Sequence, residues 1–128
     1  MLRKLKQEDQ AAFVDLRYIA FERRTAYRVY DELNDQAFVW EEDGQLRGFC
    51  KWIEAGFMRK YAEIGTLMVD PAYRGRGIAK ALVAATVAEA LNHFDNVKIY
   101  DTSRYGQTSK IAKSLGFIEK DAREWWYK

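Results

Sequence analysis

The chain has 128 residues, 48% hydrophobic and 31% charged, with a formal net charge of +2. That length predicts one domain over residues 1–128 with a core of its own, and the charge balance is too mild to argue for a nucleic-acid partner. Cys50 is the single cysteine and His93 the single histidine, which excludes an intramolecular disulfide and argues against a structural zinc or other metal site.

The N-terminus carries no apolar run of signal-peptide type, and no stretch approaches a membrane span, so the expectation is a cytoplasmic protein with no membrane partner. Residues 2–6 alternate as a first strand. Residues 7–20 read as a helix with Ala12, Phe13, Leu16 and Ala20 on one face and Glu8 and Asp9 near its start. Residues 23–33 repeat the helical spacing through Ala26, Val29, Tyr30 and Leu33. Residues 36–42 and 45–55 then form a hairpin about Asp43-Gly44.

Residues 61–69 form the central strand, whose apolar run predicts burial on both faces. Asp70-Pro71 stops it, because proline lacks an amide donor and biases its predecessor away from helix. A helix follows to about residue 92, with Val83, Val87, Leu91, Ala84 and Ala88 as its buried face and Thr86, Glu89, Asn92 and His93 opposite. Residues 97–101 form a strand, and residues 108–115 a short helix capped by Gly116. Residues 117–120 and 124–128 close the chain as a hairpin, which sends Trp125 and Trp126 to opposite faces.

Between the central strand and the long helix lies Arg74-Gly75-Arg76-Gly77-Ile78-Ala79. Glycines remove side-chain bulk, so several amides can point at one anion, and the helix end adds orphan N–H groups and the positive pole of its dipole. Arg74, Arg76 and Lys80 add formal charge, so the turn reads as a diphosphate cradle; the plainer alternative is a solvated basic turn. Two other phosphate loops do not fit. The dinucleotide fingerprint needs a small residue where Lys80 stands, and a Walker A loop needs Gly-Lys followed by Ser or Thr.

Residues 61–82 resemble the acyl-CoA-binding signature of the GNAT superfamily of N-acetyltransferases, through Val69-Asp70-Pro71, Arg74, Gly77 and Ala79. Leu115-Gly116-Phe117 supplies that family's later landmark. The resemblance implies an α/β (α+β) fold: a mixed, mostly antiparallel central sheet with helices on both faces and two splayed central strands. It implies acetyl-CoA, or another acyl-CoA, as donor and an amine, on a small molecule or a protein, as acceptor. A monomer or homodimer would be ordinary for the family. Carried over residue by residue, Leu67, Met68 and Val69 would pair with the pantetheine arm. Arg74, Gly75, Arg76, Gly77, Ile78 and Ala79, with Lys80 beside them, would hold the diphosphate.

A lysine-like acceptor has a pKa about three units above ambient pH. Only about 1 in 1,000 is then nucleophilic, a handicap of roughly 4 kcal/mol, which a carboxylate can relieve by taking the proton. Glu63 is the candidate base, because Tyr61-Ala62-Glu63-Ile64 is similar to the run that carries the base in the histone-acetylating branch; the plainer alternative is a salt-bridged strand glutamate. The tyrosine that many members place before the Leu-Gly-Phe landmark is Ala112 here, a departure from the pattern. Tyr105 is the candidate substitute acid, or else a packing or acceptor-site aromatic. Cys50 reads as a small buried hydrophobe and His93 as a helix-end residue. The alternative to an enzyme is a catalytically weak or inactive acyl-CoA-binding module that works by docking to another protein.

Overall fold

The computed structural model describes residues 1–21, 36–58, 60–101, 103 and 106–128. The helix expected over residues 23–33 and the candidate acid Tyr105 lie outside these residues.

Strand β1 (Leu2–Lys4) leads through a 3-10 turn (Gln7–Asp9) into helix α1 (Gln10–Phe21). β2 (Ala37–Glu42) and β3 (Gln45–Ala55) form the expected hairpin, with Asp43 and Gly44 both at positive φ, 55° and 73°, as a tight two-residue turn requires. β4 (Tyr61–Val69) is followed by a 3-10 turn (Pro71–Tyr73) and helix α2 (Ile78–Ala90). β5 (Val97–Tyr100), α3 (Gln107–Ser114), β6 (Ile118–Asp121) and β7 (Glu124–Tyr127) complete the order. Gly116, at φ 91°, takes the left-handed position that ends α3.

Among the described residues seven strands make one sheet, ordered β1-β2-β3-β4-β5-β7-β6. All neighbouring pairs are antiparallel except β4 with β5. Alternation sends successive side chains to opposite faces, and the sheet separates two cores. On one face Phe13 and Leu16 of α1 pack on Val39, Phe49 and Met68, with the Phe13 and Phe49 rings edge to face at 4.8 Å. On the other, Leu82, Val83 and Val87 of α2 and Ala112 of α3 cover Cys50, Ile64, Val97, Ile99 and Trp125. The layers are therefore helix, mixed sheet, helix, as expected of the fold class.

Two expectations are corrected. β4 is not buried on both faces: Ala62 and Ile64 are buried, whereas Tyr61, Glu63 and Gly65 are half-exposed on the face of α1. The buried stripe of α2 is also rotated. Thr86 is fully buried and Ala88 exposed, with Ile78, Leu82, Val83, Thr86, Val87 and Ala90 facing the sheet. Thr86 tolerates this because its hydroxyl donates to the Leu82 carbonyl at 2.7 Å, so no polar group is left unpaired.

Gly48 of β3 sets how closely α2 can lie. A Cβ there would come within 2.7 Å of Leu82 Cδ1 and 3.1 Å of Ile78 Cγ2. Gly48→Val should push out the first turns of α2 and cost about 1–3 kcal/mol, read as a lower urea midpoint at unchanged slope. An unchanged midpoint would mean that this approach contributes little.

Candidate active site

The site begins where β4 and β5 part. They pair at Ala62↔Val97, Glu63↔Lys98 and Ile64↔Ile99, after which Gly65 to Val69 keep only β3 as a strand neighbour among the described residues. β5 turns instead to β7, pairing as far as Tyr100↔Glu124. A bulge marks the divergence. The register with β3 shifts between Phe49 and Lys51, setting Thr66 and Leu67 against Cys50 alone. Thr66 lies at φ 39°, an uncommon conformation for a β-branched residue, and strain of this kind costs about 1–3 kcal/mol. Leu67, Met68 and Val69 thus border an open edge whose outward backbone groups have no strand partner among the described residues. The Leu67 side chain is partly buried against the α2 core, and Met68 is buried on the α1 side.

The glycine turn lies at the far end of β4. Asp70 is buried, accepts from the Ala72 amide at 3.0 Å, and pairs with Arg47 at 3.1 Å, fixing the turn after Val69. Gly75 and Gly77 sit at φ 79° and 82°, and a Cβ at either would meet nothing within 4 Å. The helical ladder of α2 starts with the Ala81 amide on the Gly77 carbonyl at 3.1 Å, which leaves the Ile78, Ala79 and Lys80 amides directed out of the helix end. The cradle is therefore open, built of backbone donors and backed by a dipole, which suits a diphosphate.

Side chains contribute unequally. Ile78 is buried in the core, so only its amide faces the cradle, while Arg74 and Lys80 are exposed beside it. The Arg76 guanidinium is drawn aside, 3.2 Å from Glu42 and 4.6 Å from the Tyr73 ring centroid, with Arg47 4.2 Å from the same centroid. The Tyr73 hydroxyl donates to Asp43 at 2.5 Å, and that bond raises its pKa. The Arg76 side chain thus braces the turn.

Glu63 stands on the opposite face of the sheet from α2, one position before the strands part. Its carboxylate is 3.9 Å from the Lys98 ammonium, which is also 3.5 Å from Glu124. Lys98 lies 5.8 and 5.9 Å from the Tyr61 and Trp126 ring centroids, and those rings meet edge to face at 4.8 Å. Trp125 faces the other core, so the two tryptophans do diverge.

The sequence model of the Acetyltransferase (GNAT) family matches residues 2–117. The chain belongs to this family. An uncharacterized N-acetyltransferase of Methanocaldococcus jannaschii is 34% identical over 97 residues, 72% of this chain and 43% of that protein, so the chain spans less than half its length. Among solved structures, an N-acetyltransferase from Staphylococcus aureus Mu50 superposes with TM-score 0.78 at 18% identity, covering 100% of this chain and 97% of that one. A GNAT family acetyltransferase from Brucella melitensis, in complex with acetyl-CoA, gives TM-score 0.73 at 19% identity over 99% and 86% of the two chains. These structures share the fold.

Within this GNAT chain, Ala112 is fully buried in the α2 core, so no hydroxyl reaches the split from that position. Cys50 is also fully buried, and burial pushes its thiol up to about 12, against any role as a nucleophile. His93 stacks on Trp52 at 5.2 Å and lies 3.9 Å from Glu89. A groove of about 520 Å³ between α1 and the β2–β3 hairpin is lined by Arg3, Asp9, Tyr18, Glu41 and Leu46 and holds none of the site residues. Among the described residues no group of three or more His, Cys, Asp or Glu could hold a metal ion, and no helix is long and apolar enough to cross a membrane.

Asp101 escaped the sequence reading, which ends a strand there. It is buried just beyond β5 and accepts from the Ser103 amide at 2.7 Å, the Ser103 hydroxyl, and the Ser109 amide at 3.0 Å. It thereby fastens the start of α3 to the end of β5, on both sides in sequence of Tyr105. Burial alone would raise its pKa, but these hydrogen bonds outweigh burial and hold the carboxyl below its ordinary value. A depressed folded-state pKa contributes stability above the unfolded value that is lost as pH falls through the folded one. Asp101→Asn should lower stability by about 1–3 kcal/mol at neutral pH, and the difference from the parent should shrink as urea unfolding is repeated at increasingly acid pH. A difference that does not change with pH would remove Asp101 from this role.

Proposed function

We infer that the chain is an acetyl-CoA-dependent N-acetyltransferase, that residues 1–128 form its catalytic domain, and that it acylates a primary amine by direct attack with Glu63 as general base. The observation that carries this reading is the relation of the two sites across the sheet. The cradle belongs to α2, which packs on one face, and Glu63 points from the other. The split between β4 and β5 is the passage between them. A donor held by its diphosphate at Gly75 to Lys80, with its arm along Leu67 to Val69, would present its thioester near Glu63. The family's use of acetyl-CoA and its presence in a structural neighbour support the choice of donor.

Glu63 would take the acceptor's proton as nitrogen attacks the thioester carbon. The amide forms, the carbon–sulfur bond breaks, and CoA leaves as thiolate. Tyr105 is the proposed acid that reprotonates sulfur; a thiolate is a fair leaving group without it. A panel of amines (polyamine, amino acids, lysine peptides, free protein N-termini) tests the reading by acetyl-CoA-dependent release of CoA thiol. Release with at least one class supports it. Tight acetyl-CoA binding with no release from any class would favour the second reading, a binding-only module, for which the buried Ala112 is the specific observation.

A further inference from the structure

The geometry points to Lys98 as an internal acceptor: the enzyme acetylates its own Lys98 side chain. This rests on the reading of Glu63 as the base and of the split as the donor channel. An acceptor amine must present its nitrogen beside Glu63, on the face away from α2, next to where β4 and β5 part. Lys98 already meets each requirement. It is in register with Glu63, one position before the last paired residues, Ile64 and Ile99. Its Nζ is 3.9 Å from Glu63 and 3.5 Å from Glu124, and lies beside the Tyr61–Trp126 ring pair, 5.8 and 5.9 Å from the two centroids. Two carboxylates and two aromatic rings are the surroundings an incoming alkylammonium needs, and Lys98 occupies them. Its side chain is mostly buried, with 18% relative exposure, so spontaneous acetylation from solvent is disfavoured there.

The step balances with acetyl-CoA as the only co-reactant. Glu63 takes a proton from the Lys98 ammonium, and the freed nitrogen attacks the thioester carbonyl carbon. The nitrogen–carbon bond forms, the carbon–sulfur bond breaks, and CoA leaves as thiolate that takes up a proton. The neutral amide that results removes the positive charge between Glu63 and Glu124, so modification would alter the electrostatics of the acceptor site.

The test incubates the purified chain with acetyl-CoA and no amine, maps acetylated lysines by peptide mass spectrometry, and measures acetyl-CoA binding on the same sample by titration. Lys98 should gain one acetyl group at a rate independent of protein concentration, at least about tenfold faster than exposed Lys113 and Lys120. Glu63→Gln, verified as folded by circular dichroism, should slow Lys98 modification about a hundredfold and leave Lys113 and Lys120 unaffected. Acetyl-CoA binding with Lys98 modified no faster than Lys113 and Lys120 would overturn the proposal while leaving the donor site in place. Equal Lys98 modification in folded Glu63→Gln would overturn it as a base-assisted reaction. Absence of acetyl-CoA binding would overturn this proposal together with the reading on which it rests.

Discussion

Glu63→Gln should lower kcat by about a hundredfold to ten-thousandfold toward the best amine acceptor, while acetyl-CoA affinity stays within a few-fold of the parent. The amide keeps the shape of the side chain and cannot accept a proton. The proposed donor cradle, at the far end of β4 and on the face of α2, would be untouched. The pH profile should change as well. With the base gone, the remaining route is attack by amine that solvent has already deprotonated. The variant's rate should therefore climb about tenfold per pH unit up to the acceptor's own pKa. The alternative, a glutamate that serves only to pair with Lys98, predicts something else. Lys98 keeps Glu124 at 3.5 Å, so loss of one of two partners in this partly buried cluster should cost about 1 kcal/mol of stability and little turnover. Steady-state kinetics beside urea unfolding separate the two: a few-fold change in kcat with a shifted midpoint would leave Glu63 a structural residue.

Gly77→Glu should reduce acetyl-CoA affinity by about thirtyfold or more in isothermal titration. Two effects combine. An L residue at φ 82° is strained, by about 1–2 kcal/mol, which lowers stability, and a carboxylate would project into a turn proposed to hold a diphosphate, where repulsion of about 2 kcal/mol lowers affinity. Gly77→Ala isolates the first effect, because a Cβ there has open space around it. It should lower stability by about 1 kcal/mol yet retain most of the affinity, since the donors are amides. If the two variants bind acetyl-CoA equally well, the diphosphate does not lie at this turn. Salt should also weaken binding only modestly in the parent, because Arg76 is already engaged by Glu42 at 3.2 Å and the cradle depends on backbone more than on free cations.

Local chemistry made much of the frame legible. The Asp43-Gly44 turn, the stop at Asp70-Pro71, the cap at Gly116 and the apolar face of α1 each follow from a few adjacent residues, and β3 and β4 run over the expected residues. What was misjudged depended on partners far along the chain. Apolar content suggested a β4 buried on both faces, but α1 covers that face only at Met68, so Tyr61, Glu63 and Gly65 on the same side stay half-exposed. Thr86 was placed opposite the apolar face of α2 by helical spacing, whereas a bond to the Leu82 carbonyl lets it be buried. Asp101 looked like the end of a strand, and its role as a clasp requires Ser103 and Ser109 to be brought to it.

The site shows the same division. The cradle is contiguous in sequence, and its left-handed glycines and outward helix amides could be anticipated. The surroundings of Glu63 could not. Lys98 and Glu124 reach it only through the register of β4 with β5 and of β5 with β7, and a shift of one residue would turn both away. Nor does the sequence disclose the bulge at Thr66, which exists because two residues of β4 face one of β3.

The central claim is that the donor spans the sheet through the split, from the glycine turn to the Glu63 face. Amide hydrogen exchange with and without saturating acetyl-CoA tests it most directly. Exchange should slow at Leu67, Met68 and Val69 and at Gly75 through Lys80, with no change at Leu46 or Tyr18 beside the groove at α1. Protection confined to that groove, or absent from both the open edge of β4 and the cradle, would contradict the account.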